Sequence, residues 1–132
     1  MKVLFISKLE GQNWQGPSYS VPRQILAQSK VDDVLWVNIN GVAIDNWLNR
    51  TYFRVSDKNN RISLNDIEKP FDRPDVVVFE GVYEYPFCRL VFELVRFGIP
   101  YVVIPRSALT CQAQHQKWLK KRIANFLYFN MF

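Results

Sequence analysis

The stretch PDVVVFEGVYEYPFCRLVFELVRFGIPYVVIPRSALT, residues 74–110, decides the fold of this chain. Two runs in it, 76–79 and 101–104, are apolar at every position. Strands of this kind are buried on both faces, which is typical of a parallel sheet. Between them lies a largely apolar helical stretch that ends at Gly98 and Pro100. The segment therefore predicts two parallel strands joined by a helix through a right-handed crossover.

The first part of the chain extends this unit. Residues 2–6 and 33–39 have the composition of two further strands. We expect a helix between them to begin near Ser18 or Ser20, because either residue suits an N-cap position. Pro22 fits such a start only if it lies in the first turn. The order of elements predicts a three-layer α/β/α, Rossmann-like domain with a mostly parallel sheet, filling residues 1–132.

The middle of the chain has the weakest pattern. Residues 45–47 indicate a turn of helix, and residues 52–55 and 62–64 are candidate short strands. Ser63 or Asn65 could cap a short helix before the next proline.

Composition excludes several classes of protein. The 132 residues are 48% hydrophobic, which is ample for one core. No apolar stretch is long enough for a transmembrane helix, and the N-terminus lacks a signal-peptide pattern, so we expect a cytoplasmic location. Cys88 and Cys111 both fall on predicted helices, and a disulfide is not expected there. His115 is the only histidine and cannot build a zinc site alone, so no metal is predicted.

The net charge of +5 is concentrated near the C-terminus, in Lys117, Lys120, Lys121 and Arg122. Such a cluster suits nucleic acid, an anionic membrane surface or a phosphorylated substrate. It is equally typical of a solvated helix face, with Leu119 and other apolar residues on the opposite side. The charge alone leaves these alternatives open.

Three common doubly wound families are excluded by their chemistry. Dinucleotide binding requires closely spaced glycines after the first strand, and Gly11 and Gly16 are too far apart. The same glycines have P-loop spacing, but Pro17 stands where the phosphate-binding lysine is required. A response-regulator receiver requires acidic residues after the first strand, where this chain has Ser7 and Lys8.

Three remaining stretches occur together and in order. They are DVVVFEGVY (75–83), GIPYVVIPRSALT (98–110) and QKWLKKRIANFLY (116–128). They resemble DVVHxHGxW, GIPYVxSPHGML and KxWKKRxxxxLxE in the N-terminal domain of retaining glycosyltransferases of family 4, which have the two-domain GT-B architecture. The resemblance is loose over residues 1–39 and good over residues 74–129.

The resemblance implies a function for the intact enzyme. In this family the N-terminal domain binds the acceptor, and the C-terminal domain binds the nucleotide-sugar donor and carries a Glu-x7-Glu motif. No two glutamates of this chain have that spacing. We therefore expect a fragment that lacks the donor-binding domain and is inactive alone. The intact enzyme would transfer a sugar to a hydroxyl of a glycan or lipid-linked acceptor, as in polysaccharide biosynthesis. The nucleotide-sugar is a co-substrate, and no further cofactor is implied.

The resemblance also implies site residues that bind acceptor or phosphate. Glu80 would bind sugar hydroxyls and Tyr83 would stack on a sugar face; the alternatives are a capping carboxylate and a half-buried aromatic. Arg106 stands where the family has a histidine. It stays protonated and cannot act as a base, so it would hold a phosphate or carboxylate, or else form a structural ion pair. The full set is Gly16, Pro17, Ser18, Glu80, Gly81, Tyr83, Arg106 and Ser107.

The loop that precedes the first helix departs from the family. There a Gly-Gly pair approaches the donor phosphates and the acceptor, whereas this chain has Gly16-Pro17. One backbone donor and some flexibility are lost, and a plain turn from loop to helix is the alternative.

The last stretch resembles a basic helix that lies near the membrane in many members. The implied surface consists of Lys117, Trp118, Lys120, Lys121 and Arg122. The expected partners are a glycan or lipid-linked acceptor, the missing domain and the inner face of the cell membrane by peripheral contact, with no nucleic acid. A different class of function remains open, namely a non-catalytic α/β module that binds an anionic partner through this helix.

Overall fold

The fold is a single five-stranded sheet with helices on both faces. The computed structural model describes residues 1–12, 16–82, 85, 88–106, 115, 118–120, 122–123 and 126. Its strands are β1 (Lys2–Ser7), β2 (Asp33–Asn38), β3 (Phe53–Val55), β4 (Val76–Glu80) and β5 (Tyr101–Val103). Its helices are α1 (Gly16–Gln28), α2 (Asp45–Leu48) and α3 (Arg89–Phe97), with 3-10 helices at Asn59–Arg61 and Leu64–Asp66.

The described strands are all parallel and follow the order β3-β2-β1-β4-β5. The predicted Rossmann-like α/β class is therefore confirmed. Ser7 pairs in register with both Asn38 and Glu80, so the last residues of β1, β2 and β4 lie side by side. This alignment brings polar residues from distant parts of the chain to one edge of the sheet.

Both faces of the sheet are buried, which explains why its central strands are apolar at every position. On one face, Leu4 and Val77 pack in a core that includes Leu90 of α3. On the other face, Phe5 and Trp36 pack in a second core with residues of α1 and α2. Alternate residues of one strand therefore enter different cores, as expected for a sheet between two helical layers.

The first helix differs from the sequence prediction at its start. α1 begins at Gly16, so Ser18 and Ser20 lie inside the helix and neither is its N-cap. Pro22 also lies inside the helix, beyond the first turn, where it cannot donate a backbone hydrogen bond. It is kept there by packing, because Pro22 and its neighbour Val21 are both buried. Tertiary contacts thus override the local preference of proline.

The middle of the chain was predicted correctly for α2 and β3, but the strand expected at residues 62–64 is absent. Ile62 lies between the two 3-10 helices, and its side chain is buried in the core. The backbone N–H of Ser63 donates to Asp66 Oδ2 at 3.0 Å, and the two residues form a capping box. This reciprocal cap starts a helical turn in place of a strand.

The C-terminal end of α3 depends on a glycine. Gly98 has a φ of 66°, in the left-handed region, and Ile99 N–H donates to Leu94 O at 2.9 Å. The direction of the chain into β5 therefore depends on a conformation that residues with a Cβ adopt at a cost.

Replacing Gly98 by alanine is expected to lower the free energy of unfolding by about 1 kcal/mol, measured by urea denaturation. The cost is backbone strain alone, because an added Cβ would meet no atom within 4 Å. Gly98→Asn should cost less, since asparagine tolerates this conformation better. Gly16→Ala is the matched control: its Cβ also enters open space and its φ is not positive, so its stability should be unchanged. Equal losses in Gly98→Ala and Gly16→Ala would contradict this account.

Candidate functional site

The arrangement of the strands places a crevice between β1 and β4. The chain proceeds from β1 to β2 and β3 on one side, then crosses to β4 and β5 on the other. The loops after β1 and β4 consequently leave the sheet in opposite directions. Open α/β sheets bind their ligands at such a switch point, outside the carboxyl ends of the strands.

A small recess occupies this position. Its accessible volume is about 10 Å³, and its lining residues are Ile6, Ser7, Lys8, Ile39, Phe79, Glu80, Gly81 and Cys88. Its walls are mostly apolar, and the polar side chains come from the ends of β1 and β4. This volume is room for about one water-sized group, whereas a typical small-molecule pocket has roughly 300–1,000 Å³, so the recess admits a single hydroxyl group of a ligand.

Glu80 and Arg106 form an ion pair beside this recess. Arg106 Nε donates to Glu80 Oε2 at 2.7 Å, and its terminal nitrogen Nη2 lies 2.6 Å from the same oxygen. The Glu80 side chain is fully buried, whereas that of Arg106 is 20% exposed. The structural ion pair considered for Arg106 is therefore present, and both residues lie at the predicted edge of the sheet.

Arg106 also ties the end of β5 to α1. Its Nη2 donates to Gln24 Oε1 at 2.5 Å, and its Nη1 lies 3.5 Å from Ser20 Oγ. Its backbone has a φ of 44°, which is uncommon for a residue other than glycine. Such a conformation persists only where the surroundings enforce it. Three elements, β4, β5 and α1, thus converge on one guanidinium group.

The ion pair does not fully satisfy Glu80. Its second oxygen, Oε1, is buried and has no hydrogen-bond partner among the described residues. Burial raises the pKa of the Glu80 carboxyl above its usual 4.5, and the hydrogen bond and charge of Arg106 oppose that rise only in part. A buried carboxyl with a raised pKa at a switch point is a candidate for function.

A second polar network fixes the loops around the crevice. Asn38 is completely buried at the end of β2. Its Oδ1 accepts hydrogen bonds from Ser7 Oγ and Leu9 N–H, both at 2.8 Å. Its Nδ2 donates to Leu9 O at 2.9 Å and to Val42 O at 2.8 Å. One side chain therefore holds the loops that follow β1 and β2.

The remaining predicted residues of this site are placed less favourably. Gly16 and Pro17 open α1, and the space around Gly16 is empty to 4 Å, so no close approach there requires glycine. Ser18 is 6% exposed, its hydroxyl is buried without a hydrogen-bond partner among the described residues, and it does not line the recess. Gly81 lines the recess. Tyr83 and Ser107 lie outside the described residues.

The predicted basic surface is described in part. Trp118, Lys120 and Arg122 are helical and exposed, and His115 is also exposed. The neighbouring apolar residues Leu119, Ile123 and Phe126 are also exposed, at 58%, 55% and 68%. Lys117 and Lys121 lie outside the described residues.

The described ranges contain no cluster of three or more side chains that could hold a metal ion. No helix within them has the length and apolar character needed to cross a bilayer. Cys88 is a buried free thiol, and burial raises its pKa.

Comparisons with known proteins give no further assignment. No protein-family model, no curated protein and no solved structure matches this chain. A functional assignment therefore depends on the geometry of these residues.

Two parts of that geometry were not predicted from the sequence. The first is that Arg106 has Ser20 and Gln24 as partners; their i, i+4 spacing, which places both on one helix face, was the available signal. The second is Asn38, whose only signal was that it is a polar residue within a buried strand.

Proposed function

We propose that this chain is the acceptor-binding half of a retaining glycosyltransferase of family 4, with a GT-B architecture completed by a second, donor-binding domain. The intact enzyme transfers a sugar from a nucleotide-sugar to a hydroxyl group of a glycan or lipid-linked acceptor. The proposal combines the resemblance of three stretches of sequence with the geometry of the switch point.

One observation carries the proposal. Glu80 and Arg106 belong to two different stretches of the resemblance, 26 residues apart, yet their side chains meet at 2.7 Å at the carboxyl edge of the sheet. This is the edge where a Rossmann-like domain of this topology takes a ligand. Motif residues that were grouped by resemblance alone thus share one location beside a recess.

The chemistry of the Glu80–Arg106 pair suits the positioning of an acceptor. Arg106 stays protonated and cannot remove a proton from the acceptor. The role of this domain is to hold an acceptor hydroxyl against the anomeric carbon of a donor bound elsewhere, and such orientation supplies much of the rate of a two-substrate reaction. The chain alone is accordingly expected to cleave no nucleotide-sugar.

Saturation-transfer NMR on the whole chain tests this function. We expect signals from neutral methyl glycosides of glucose, galactose, mannose or N-acetylglucosamine. We expect no release of sugar from UDP-glucose or GDP-mannose over the same period. Glycosides that give no saturation transfer, or hydrolysis of either nucleotide-sugar, would contradict the proposal.

A second candidate rests on the exposed C-terminal helical residues. Trp118 and Lys120 are both exposed beside uncovered apolar side chains, which suits an anionic partner or membrane surface. Under this alternative the chain is a non-catalytic module. It would bind vesicles that contain phosphatidylglycerol but not those of phosphatidylcholine alone, and it would bind no glycoside in the NMR experiment.

A further inference from the structure

The distribution of hydrogen bonds in the Glu80–Arg106 pair is unequal. Both contacts from Arg106 reach the same carboxylate oxygen, Oε2. The other oxygen, Oε1, is buried with no partner in the part of the chain that is described. A buried oxygen that lacks its hydrogen bond costs free energy, and each such atom in a folded protein requires an explanation.

The guanidinium group is committed to other residues. It is held by Glu80 Oε2 and by Gln24 Oε1, and Ser20 Oγ lies nearby. Its positive charge is balanced by the Glu80 carboxylate. A phosphate or carboxylate of a ligand would have to compete with this buried pair, so Arg106 is poorly suited to bind an anion.

We propose that Glu80 is the ligand-contacting member of the pair, and that its Oε1 accepts a hydrogen bond from a hydroxyl group of an uncharged sugar or polyol in the recess. Arg106 is a positioning residue, which holds Oε2 so that the other oxygen remains available. This inference rests on the proposed function for its substrate class, and it replaces the expectation that Arg106 holds a phosphate or carboxylate.

The composition of the recess agrees with an uncharged ligand. Glu80 and Gly81 line it on the side of β4, and Ser7 and Lys8 line it on the side of β1. Among the described residues, the other titratable groups around Glu80 are Arg106, the exposed Lys8 and the buried thiol of Cys88. A carboxylate oxygen can only accept when ionised, so its missing partner is a donor.

The test follows the carboxyl carbon of Glu80 by NMR in the full chain. The chain is titrated with the neutral methyl glycosides and with ethylene glycol, which presents a hydroxyl group without a sugar ring. We expect a glycoside to shift this resonance and to lower the pKa of Glu80, because a donated hydrogen bond stabilises the carboxylate. Glu80→Gln should weaken glycoside binding by about tenfold, since a hydrogen bond to a charged group is lost. Glu68→Gln is the matched control, because Glu68 is an exposed carboxylate paired with Arg54, and it should leave binding unchanged.

Arg106→Lys separates positioning from ligand contact. It keeps the positive charge but loses the planar fork. We expect the pH midpoint of glycoside binding to move upward with the pKa of Glu80, while inorganic phosphate leaves the wild-type Arg106 Nε resonance unshifted. A shift of that resonance by phosphate, with the Glu80 resonance unchanged by glycosides, would overturn the proposal.

The outcomes also separate this inference from the function on which it rests. Glycosides that give saturation transfer without shifting Glu80 would refute the inference and leave the proposed function standing. Ethylene glycol that shifts Glu80, when no glycoside binds, would support a hydroxyl site and refute the proposed function. No response to any of these probes would refute both.

Discussion

Replacing Arg106 by methionine is expected to lower the free energy of unfolding at pH 7 by about 3 kcal/mol, because it leaves a buried carboxylate without its counter-charge. The Glu80 side chain is fully buried. The partial exposure of Arg106, 20%, places the loss at the lower end of the range for buried pairs. Urea denaturation at fixed pH measures it.

The contribution of Glu80 to stability should change with pH in the direction opposite to that of a carboxylate whose pKa is lowered on folding. The pKa of Glu80 is raised in the folded protein, so the folded state binds a proton that the unfolded state has already released. Stability therefore falls as the pH rises from the unfolded pKa through the folded pKa. Arg106→Met raises that folded pKa further, since Arg106 opposes the effect of burial. The variant should be nearly as stable as wild type at about pH 4, and its loss should grow as the pH rises to 7.

Two further variants make this prediction specific. Adding Glu80→Gln to Arg106→Met removes the uncompensated charge and should recover much of the stability. Arg54→Met breaks an exposed pair with Glu68 and should cost less than about 1 kcal/mol. A loss in Arg106→Met that is independent of pH and unchanged in the double variant would show that the ion pair is not its cause.

The second large effect is expected at Asn38. Replacing Asn38 by leucine should lower the free energy of unfolding by about 4 kcal/mol, because several buried groups lose a hydrogen bond together. Those groups are the Ser7 hydroxyl, the N–H and C=O of Leu9, and the C=O of Val42. Leucine is larger than asparagine, so no cavity forms, and crowding at this buried position adds to the loss. Thermal or urea unfolding measures the loss, and amide exchange of Leu9 should accelerate because its N–H becomes unpaired.

Asn40→Ala is the control for this network. Asn40 is only partly buried, and it supplies one further hydrogen bond to Leu9 O, at 3.0 Å. Its removal should cost about 1 kcal/mol. If Asn38→Leu cost no more than Asn40→Ala, the network would not be what fixes the loops after β1 and β2.

The fold could be predicted from the sequence because its central strands are buried on both faces. A run such as 76–79 leaves few alternatives to a parallel sheet, and the structure places it next to β1. The start of α1 could not be predicted in this way, because Pro22 is stabilised inside the helix by burial that no local pattern reveals. Two interpretations were open for residues 62–64, a short strand and a short helix capped by Ser63 or Asn65. The apolar residues suit the core contacts of a strand, but the capping box at Ser63 determines the backbone, so the second interpretation is confirmed for Ser63.

The shared location of Glu80 and Arg106 was also predictable. Glu80 and Arg106 follow neighbouring parallel strands, so their common edge follows from topology alone. The sequence left two alternatives for Arg106, binding of a phosphate or carboxylate and a structural ion pair. The choice between them depends on the rotation of α1 about its axis, which brings Gln24 to the guanidinium group and which the sequence does not give. The role of Asn38 was not predictable, because its partners lie on loops whose path the sequence does not specify.

Mapping of backbone amide shifts during titration with neutral methyl glycosides tests the central claim most directly, namely that the ligand site is the switch point between β1 and β4. The account predicts that the largest shifts occur at Ser7, Gly81 and Arg106. Shifts confined to the opposite edge of the sheet, at Lys2, Asp33 and Val76, would contradict it.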